Sequence, residues 1–404
     1  MRVCTLVGIG MGDPAALTQE ARDALCTAPL VAGAARVLSA VQDIVRGRTL
    51  VSFDVGEIAA AFAGADGNPC AVFSGDTGFH SGAAALRARL VADGWTVRTL
   101  CGVTTAQYFA ACLGEPWQDW HLASAHGTDC DLGIALSFAP KTFFLTGGSI
   151  TVRTIARFLL DRDCDATLTV GSRLSYRADG APSEIIFSGS PAAVLARDDY
   201  DERLSCVLVT RAVPDLPRAA LPDDFFVRSH APLVPMTKQF VRAAALALLA
   251  VRDGETVWDI GAGTGAVSVD IARSARCAVY AVEDQPAACA LIRQNRTKSG
   301  ALNIEICGAH APGSLAELPA PHAVFIGGSG GALPAVVRAV HERNSAARVV
   351  VSCVTLETLS LAQSVARDLG RGYEATQLAV SGTAAAGAYH RMAAQNPVWL
   401  VSLR

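Results

Sequence analysis

Short runs of β-branched residues alternate along this chain with stretches that are rich in Ala, Leu and Arg. The runs indicate strands at 3–7, 70–73, 142–146, 167–170, 207–210, 256–260, 279–282, 323–326 and 349–354. The stretches between these runs are typical of helices. Alternation of this kind predicts an α/β protein with largely parallel sheets.

One segment interrupts the alternation. Residues 213–235 contain the five prolines Pro214, Pro217, Pro222, Pro232 and Pro235. Proline lacks an N–H group and has a fixed φ angle, so this segment cannot form a central strand or a long helix. We therefore predict two domains, 1–212 and 233–404, joined by a proline-rich linker at 213–232.

A helix is predicted directly after this linker. Thr237 is placed to cap its N-terminus. The apolar residues that follow at helical spacing, and that we expect on one face, are Phe240, Val241, Ala244 and Leu248.

The composition limits the classes of function. With 404 residues, 51% of them apolar, each of two domains can bury a sizeable core. A net charge of −3 argues against a sequence-independent nucleic-acid binder, which needs a basic face. The longest apolar run, 243–251, is far shorter than the roughly 20 residues that cross a bilayer. The first residues lead straight into a strand without a signal-peptide pattern, so we expect a cytoplasmic protein without nucleic-acid or membrane partners.

The twelve cysteines are scattered, and no two are closer than 11 positions apart. Most lie in apolar segments, such as those around Cys206 and Cys353, where thiols serve as small hydrophobic groups. We expect reduced structural cysteines and no metal site.

The clearest motif follows the predicted strand at 256–260. Gly261, Ala262, Gly263, Thr264 and Gly265 form a glycine turn that leads into a helix, a spacing that satisfies the loose dinucleotide fingerprint. Asp259 stands just before the turn, where a carboxylate is unfavourable for a pyrophosphate. S-adenosylmethionine (SAM) has no phosphate, and its ammonium group suits an acidic residue while loop N–H groups take its carboxylate. The motif therefore favours SAM over NAD.

Loops after the next three strands extend this prediction. Glu283 ends the second strand, where it is placed to accept both ribose hydroxyls. The segments 310–312 and 327–330 follow the third and fourth strands, where a doubly wound sheet gathers its ligands. The fourth loop is glycine-rich and has no amide to hold an amine, which favours a carbon nucleophile for methyl transfer.

Three loops in the first half have a similar character. The segments 8–14, 73–79 and 102–105 each follow a strand with a glycine-rich or Ser/Thr turn, and two of them carry an Asp beside the glycines. Alone, each is an ordinary turn. Together they can line one crevice at the carboxyl edge of a sheet.

These residues resemble two known families. Residues 1–212 are similar to the tetrapyrrole methylases, through the Gly-x-Gly-x-Gly-Asp opening, the Ser-Gly-Asp loop at 74–76 and the Gly-Val-Thr-Thr segment at 102–105. Residues from about 222 resemble corrin methyltransferases of the Rossmann-like SAM class, through 235–238, 258–265, 325–331 and 354–358. The resemblance implies a tetrapyrrole-methylase fold of two α/β subdomains fused to a Rossmann-like class I methyltransferase domain.

The order of the two resemblances implies a bifunctional enzyme of cobalamin synthesis. It would methylate ring carbons 5 and 15 of a tetrapyrrole and remove the carboxyl group of the acetate on carbon 12. We assign carbon 5 to the first domain, and carbon 15 with the decarboxylation to the second. Both families commonly self-associate, so a homo-oligomer is expected.

The resemblance also implies two SAM sites. In the first half the implied contacts are Met11, Ser74, Gly75, Asp76, Phe79, Thr104 and Thr105. In the second half they are Thr237, Gly261 to Gly265, Glu283 and Ala311, and the chemistry of the glycine turn adds Asp259 to this site. Two residues depart from the family patterns: Met11 replaces a usual proline, and His310 replaces a usual acidic residue.

Methyl transfer from a sulfonium needs mainly proximity and alignment, and an electron-rich ring carbon needs no side-chain nucleophile. His126 is the candidate base for removing a proton, with a purely structural histidine as the alternative. For the carboxylates of the substrate, the candidate partners are Lys238, Arg242 and Arg391, with solvated surface charge as the alternative. A nucleotide-dependent oxidoreductase and a non-catalytic SAM-sensing protein remain alternatives from other classes.

Overall fold

The structure is a computed structural model that describes residues 2–125, 130–178, 181–229 and 234–404. The chain forms two compact units. The first comprises Met1–Cys130, Pro140–Asp161 and Asp165–Arg211, and the second comprises Asp131–Ala139, Arg162–Cys164 and Ala212–Arg404. Two short segments from the first half of the sequence thus belong to the second unit.

The first unit begins with a parallel five-stranded sheet in the order β3-β2-β4-β1-β5. Its strands are β1 (Val3–Gly8), β2 (Leu30–Gly33), β3 (Arg48–Val51), β4 (Cys70–Phe73) and β5 (Thr96–Leu100). The helices of this half are α1 (Gln19–Thr27), α2 (Ala35–Ala40), α3 (Val55–Ala63), α4 (Ala83–Ala92) and α5 (Thr105–Leu113). Apolar residues of both sheet faces are buried, as expected for a parallel sheet covered by helices.

A second five-stranded sheet has the order β11-β8-β12-β7-β6. This part of the chain contains β6 (His121–Ser124), α6 (Leu132–Ser137), β7 (Lys141–Leu145), α7 (Val152–Leu160), β8 (Ala166–Ser172), β9 (Arg177–Ala178), β10 (Ala181–Pro182), β11 (Ile185–Gly189), α8 (Pro191–Leu195) and β12 (Ser205–Arg211). The strands β9 and β10 form a separate antiparallel pair. Helix α6 is part of the second unit.

The prediction of largely parallel sheets is wrong for this second sheet. Strand β12 runs antiparallel to both β7 and β8, and β11 runs antiparallel to β8. The alternation β7-α7-β8 does give two strands of the same direction. A strand from later in the chain then lies between them, which no local pattern can indicate.

The second unit contains a seven-stranded sheet in the order β15-β14-β13-β16-β17-β21-β18. Its elements are α9 (Gln239–Leu249), β13 (Thr256–Ile260), α10 (Ala266–Ser274), β14 (Ala278–Val282), α11 (Pro286–Ser299), β15 (Ile304–Cys307), β16 (Ala323–Ile326), α12 (Leu333–Arg343), β17 (Arg348–Cys353), α13 (Leu356–Asp368), β18 (Tyr373–Leu378), β19 (Ser381–Ala386), β20 (Tyr389–Ala394) and β21 (Val398–Leu403). Strands β13 to β17 are parallel, and β21 is antiparallel to both its neighbours. This is a doubly wound sheet: strands are added on one side of β13 up to β15 and then on its other side from β16, so the strand order reverses between β13 and β16.

Helix α9 differs from its prediction. Its N-cap residue is Lys238 instead of Thr237, without a side-chain cap hydrogen bond. Phe240, predicted on the buried face, is 61% exposed, whereas Arg242 is fully buried. The helix therefore buries a different face from the predicted one, because the guanidinium of Arg242 has ionic and carbonyl partners in the interior. An apolar pattern cannot reveal such partners.

The proline-rich segment at 213–232, predicted as a linker, has residues in the core of the second unit. Leu221 and Phe226 are buried there. Arg242 binds this segment through the Leu221 carbonyl and the Asp223 carboxylate, and its guanidinium lies 4.7 Å from the centre of the Phe226 ring. The segment is therefore held against α9 and is not a free tether in its described part.

Three properties of the described residues bear on the predicted classes. No helix among them is both long and apolar enough to span a bilayer. No group of three or more His, Cys, Asp or Glu side chains in these ranges could hold a metal ion. In these ranges the buried cysteines Cys4, Cys70, Cys206, Cys277, Cys289 and Cys353 are free thiols.

Candidate cofactor sites

In the second unit, four loops at the carboxyl edge of the sheet surround a cleft of about 320 Å³. This volume lies in the range of roughly 300–1,000 Å³ that is common for ligand sites. The lining from these loops includes Gly261, Ala262, Gly263, Thr264, Glu283, Asp284, Gln285, Ala309, His310, Ala311, Gly327, Gly328, Ser329 and Gly330. The loops follow β13, β14, β15 and β16, so the structure brings together the four segments that the sequence placed at one edge.

The glycine turn requires glycine at two positions. Gly261 has φ +70°, and a Cβ there would lie 2.4 Å from the Gly328 carbonyl oxygen of the loop after β16. Gly263 has φ +56°, and a Cβ there would lie 2.8 Å from the Pro235 carbonyl oxygen. The turn thus lies against two other backbone segments that also line the cleft, and side chains would separate them.

Glu283 lies in the cleft wall with 8% of its surface exposed. Its Oε2 accepts a hydrogen bond from the Gly263 N–H at 2.8 Å, and its Oε1 accepts one from the Gln285 N–H at 3.0 Å. Each carboxylate oxygen has a second lone pair, so Glu283 can still accept hydroxyl donors from a ligand. Its carboxylate is fixed on the cleft side of the turn.

Asp259 is placed differently from its prediction. It is 1% exposed and is not among the residues that line the cleft. Its Oδ2 accepts a hydrogen bond from the Ser268 hydroxyl, and its Oδ1 is buried without a partner among the described residues. Burial, with a smaller contribution from the Glu283 charge, raises the pKa of this carboxyl to about 7, although hydrogen bonds from Ser268 oppose the rise. Asp259 therefore lies in the interior behind the glycine turn and does not face the cleft.

The raised pKa of Asp259 predicts how stability varies with pH. The folded state binds the proton more tightly than the unfolded state, whose carboxyl titrates near 3.8. The stabilisation is therefore complete below about pH 4 and is lost as the pH rises through about 7. We expect Asp259→Asn to abolish this loss, which amounts to up to about 4 kcal/mol of unfolding free energy.

Urea denaturation of both proteins at about pH 5 and about pH 8 checks this expectation. The wild type should lose stability relative to Asp259→Asn from the lower to the higher pH value. An equal difference at both would show that the carboxyl does not change protonation in this range. The exposed Asp368→Asn is the matched control, because it makes the same substitution at a carboxyl that is 55% exposed.

The other predicted residues of the second unit divide into two groups. Thr237 and Ala311 line the cleft, whereas Lys238, Arg242 and Arg391 do not. Arg242 donates to Asp270 at 2.6 Å and to Asp223 at 2.8 Å, so its charge is already compensated in the interior. Arg391 lies on β20, in a hairpin with β19 that forms a sheet of its own.

One hydrogen-bonded pair of side chains at the cleft was not predicted. His310 Nδ1 and Asp284 Oδ2 are 2.8 Å apart, and both residues line the cleft. The contact lowers the pKa of the Asp284 carboxyl. His310 stands where the family usually has an acidic residue. The sequence did not indicate that Asp284, directly after Glu283, would be the partner of His310.

The first unit contains a cleft of about 260 Å³ between its two sheets. Of the predicted contacts, Met11, Ser74, Gly75, Asp76, Phe79 and Thr105 line it. Thr104 does not, because its hydroxyl accepts from the Gln107 N–H as the N-cap of α5. The opposite wall comes from the second sheet and was not predicted; it includes Thr146, Gly171, Leu174, Tyr176, Arg203 and Cys206.

The polar residues of this cleft are held by backbone groups. Asp76 Oδ1 accepts from the Gly78 N–H at 2.8 Å, and Oδ2 accepts from the Gly102 N–H at 3.0 Å. Asp76 therefore links two of the three loops that the sequence placed at one crevice. The Thr105 hydroxyl lies 3.2 Å from the Met11 sulfur, which joins the third loop to the same wall. His126, the candidate base, lies outside the described residues.

Comparisons with known proteins agree with this architecture. Residues 3–179 match the family described as Tetrapyrrole (Corrin/Porphyrin) Methylases, and residues 232–403 match the family described as Precorrin methyltransferase domain. A crystal structure titled as a precorrin-6Y C5,15-methyltransferase from Geobacter metallireducens is 35% identical. The match covers 46% of this chain and 97% of that chain, with a TM-score of 0.44.

Two curated relatives match different shares of the chain. A probable cobalt-precorrin-6B C(15)-methyltransferase (decarboxylating) of Pyrobaculum calidifontis is 39% identical over 185 residues, which are 45% of this chain and 94% of the relative. A precorrin-6Y C(5,15)-methyltransferase [decarboxylating] of Sinorhizobium is 28% identical over 369 residues, 87% of this chain and 85% of the relative. The chain therefore belongs to the precorrin methyltransferase family, as an enzyme in which an N-terminal tetrapyrrole methylase domain is fused to a C-terminal Rossmann-like methyltransferase domain.

Proposed function

We propose that this enzyme methylates precorrin-6Y at ring carbons 5 and 15 and removes the carboxyl group of the acetate on carbon 12, in cobalamin biosynthesis. SAM is the methyl donor in both units. The observation that carries the proposal is that the Sinorhizobium relative, named as a precorrin-6Y C(5,15)-methyltransferase [decarboxylating], matches 87% of this chain, across both family matches. Each matched region also contains a cleft at the carboxyl edge of a sheet.

The cleft of the second unit suits SAM better than a dinucleotide. A pyrophosphate needs several uncommitted N–H groups. Here the N–H groups of Gly261, Ala262, Gly263 and Gly265 all donate within the protein. They are therefore free neither for a pyrophosphate nor for the carboxylate of SAM, which the sequence had assigned to loop N–H groups. The Glu283 carboxylate lies at the same turn and would repel a phosphate, whereas it can accept ribose hydroxyls. The buried Thr264 hydroxyl also lines the cleft and has no partner among the described residues, so it can bind a ligand group.

The chemistry requires little covalent participation from the chain. When bound, SAM supplies an electrophilic methyl group on a positively charged sulfur. The residues of each cleft then have to hold an electron-rich ring carbon in line with that group and exclude water. In the decarboxylation carbon dioxide leaves, the electron pair of the broken C–C bond passes into the conjugated ring, and the remaining CH₂ carbon takes up a proton to become a methyl group. The chain therefore has to orient the acetate, and solvent can supply the proton.

We assign carbon 5 to the first unit, and carbon 15 with the decarboxylation to the second. The Pyrobaculum relative, 94% of which matches 45% of this chain, is named as a decarboxylating C(15)-methyltransferase. A match of that length corresponds to one unit, and the name fits the unit that matches the precorrin methyltransferase domain family. The activity at carbon 5 then falls to the unit with the tetrapyrrole methylase match.

Product analysis on two variants of the full chain tests this division. Glu283→Ala removes a charged acceptor from the second cleft, and we expect SAM affinity there to fall at least about 10-fold. Under limiting SAM, its product should carry one new methyl group and retain the acetate carboxyl. Thr105→Trp fills the first cleft, and its product should lack the other methyl group.

Mass spectrometry of the products distinguishes the outcomes. Loss of both methyl groups in either variant, with SAM binding retained in the other unit, would contradict independent sites. Loss of the carbon 5 methyl in Glu283→Ala would reverse the assignment. Exposed Glu374→Ala in β18, which lies outside the cleft lining, is the control for the charge change and should yield the wild-type product.

A further inference from the structure

A second cavity of about 340 Å³ adjoins the cofactor cleft of the first unit. Its wall is formed by the glycine turn after β1 and by helix α2. Arg36, Ser74 and Tyr176 line both cavities, so these three residues stand at the boundary between them. The two cavities together offer adjacent space for two ligands.

Three side chains present hydrogen-bond donors at this boundary. Arg36 Nη1 donates to the Tyr176 hydroxyl oxygen at 2.7 Å. Because that oxygen acts as acceptor, the phenolic hydrogen of Tyr176 remains available for a ligand. The neighbouring Ser175 lines the second cavity, is 6% exposed, and its hydroxyl has no hydrogen-bond partner among the described residues.

The charges around Arg36 decide which ligand this boundary favours. No carboxylate in the described ranges forms an ion pair with Arg36, although exposed arginines elsewhere in this unit, such as Arg89 with Asp93, do have one. The acids near the cavities are held by other groups. Asp13, which lines the second cavity, accepts from the Ala15 N–H through its Oδ1 at 2.8 Å. Asp76 accepts from two backbone N–H groups, and Glu184 Oε2 accepts from the Ser175 N–H and the Tyr108 hydroxyl. The boundary therefore offers one cation and two hydroxyl donors to an anion.

We propose that the 340 Å³ cavity takes one carboxylate-bearing edge of the tetrapyrrole in the first unit, and that Arg36, Ser175 and Tyr176 bind that carboxylate side chain. The ligand class rests on the proposed function. A carboxylate accepts two parallel hydrogen bonds from a guanidinium and has lone pairs left for the two hydroxyls. Since Arg36 and Tyr176 also line the cofactor cleft, this contact fixes the ring beside the methyl donor. The three are specificity-determining residues, distinct from those predicted to bind the cofactor.

Binding of a stable polycarboxylate porphyrin tests the proposal. The probe is uroporphyrin III, and its binding to the full chain is followed by fluorescence quenching, with SAM binding measured by calorimetry on the same samples. We expect Arg36→Gln to weaken porphyrin binding at least 10-fold, and Ser175→Ala and Tyr176→Phe to weaken it a few-fold. SAM affinity should stay unchanged in all three. Effects of these variants report on the first unit, because all three residues belong to it.

The controls separate this proposal from the SAM sites. Arg89→Gln makes the same charge change on helix α4 and should leave porphyrin binding unchanged. The fully methyl-esterified porphyrin should bind the wild type as weakly as the acid binds Arg36→Gln. Wild-type porphyrin affinity in all three variants would overturn the proposal, as would equal binding of acid and ester. Loss of SAM binding in Arg36→Gln would assign Arg36 to the cofactor instead. Two SAM sites with no porphyrin binding would overturn this inference and leave the SAM sites intact.

Discussion

Gly261→Ala is expected to abolish SAM binding in the second unit and to leave the first unit able to bind and transfer one methyl group. The added Cβ would lie 2.4 Å from the Gly328 oxygen and 2.7 Å from the Gly328 nitrogen. Both atoms belong to a backbone segment, so neither can rotate away as a flexible side chain would. The residue also has φ +70°, a conformation that costs an alanine about 1 kcal/mol or more.

The overlap has to be relieved by separating the two loops, both of which line the cleft. A displacement of about 1 Å in a site that acts by alignment can reduce the rate about 100-fold. We therefore expect calorimetry to show one SAM site per chain in place of two. The product should lack the methyl group that the second unit transfers, together with the decarboxylation.

Gly254→Ala is the matched control. Gly254 also has a positive φ, +82°, but a Cβ there would meet nothing within 4 Å. The two variants therefore share the backbone strain and differ in the overlap. If both lose SAM binding equally, the strain or the overall stability is responsible and the close approach is not. If neither variant loses SAM binding, either the loops tolerate the displacement or the cleft is not the SAM site, and both results contradict the expected effect of Gly261→Ala.

Arg242→Ala is expected to lower the unfolding free energy of the second unit by about 3–5 kcal/mol. The side chains of Arg242 and Asp270 are both 0% exposed, and the ion pair between them has a distance of 2.6 Å. Removing the guanidinium leaves a buried carboxylate without its counter-charge. It also leaves the Leu221 and Thr237 carbonyls without the donor that connects them to α9.

The loss of unfolding free energy caused by Arg242→Ala should increase with pH. Burial already raises the pKa of Asp270, and the Arg242 charge opposes that rise. Without Arg242 the carboxyl is expected to titrate higher still, so it remains protonated and less costly under acidic conditions. Urea denaturation at several pH values measures both the loss and its slope. A loss that does not vary with pH would indicate that packing, not charge, is the main contribution of Arg242.

An exposed pair provides the comparison. Arg338 and Asp368 are 3.4 Å apart, and their side chains are 49% and 55% exposed. We expect Arg338→Ala to change the unfolding free energy by less than about 1 kcal/mol, since water screens such pairs. The double variant Arg242→Met with Asp270→Leu should recover part of the stability that Arg242→Ala loses, because it leaves no unpaired charge. If it recovers nothing, the hydrogen bonds to the carbonyls outweigh the ion pair.

Several elements follow from the sequence almost to the residue. The strands at 70–73, 256–260 and 323–326 have the predicted bounds, and the loops after them form the two clefts. A buried strand and a glycine turn are signalled by residues that are adjacent in the chain. The resemblance to both families also depends on such local motifs, and the family matches confirm it.

The misplaced residues share a different physical origin. Asp259 was predicted to face the ligand, but its neighbour Ser268 and the surrounding core hold it beneath the turn. Arg242 was predicted to meet the substrate, but it is neutralised by acids 19 and 28 positions away. In both cases the residue type indicated the chemistry of the side chain, but the sequence did not indicate the direction in which the side chain points.

The sequence by itself determined the class of the fold, the positions of the glycine loops and the acidic residue after the second strand of the second unit. Each of these depends on short-range backbone conformation and hydrophobic burial, which neighbouring residues encode. Only the tertiary structure decided that β12 lies between β7 and β8, that α6 belongs to the second unit, and that Arg36 meets Tyr176 across 140 positions. Such pairings depend on which distant segments compensate each other's charges and hydrogen bonds once the chain has folded, and no local pattern records that choice.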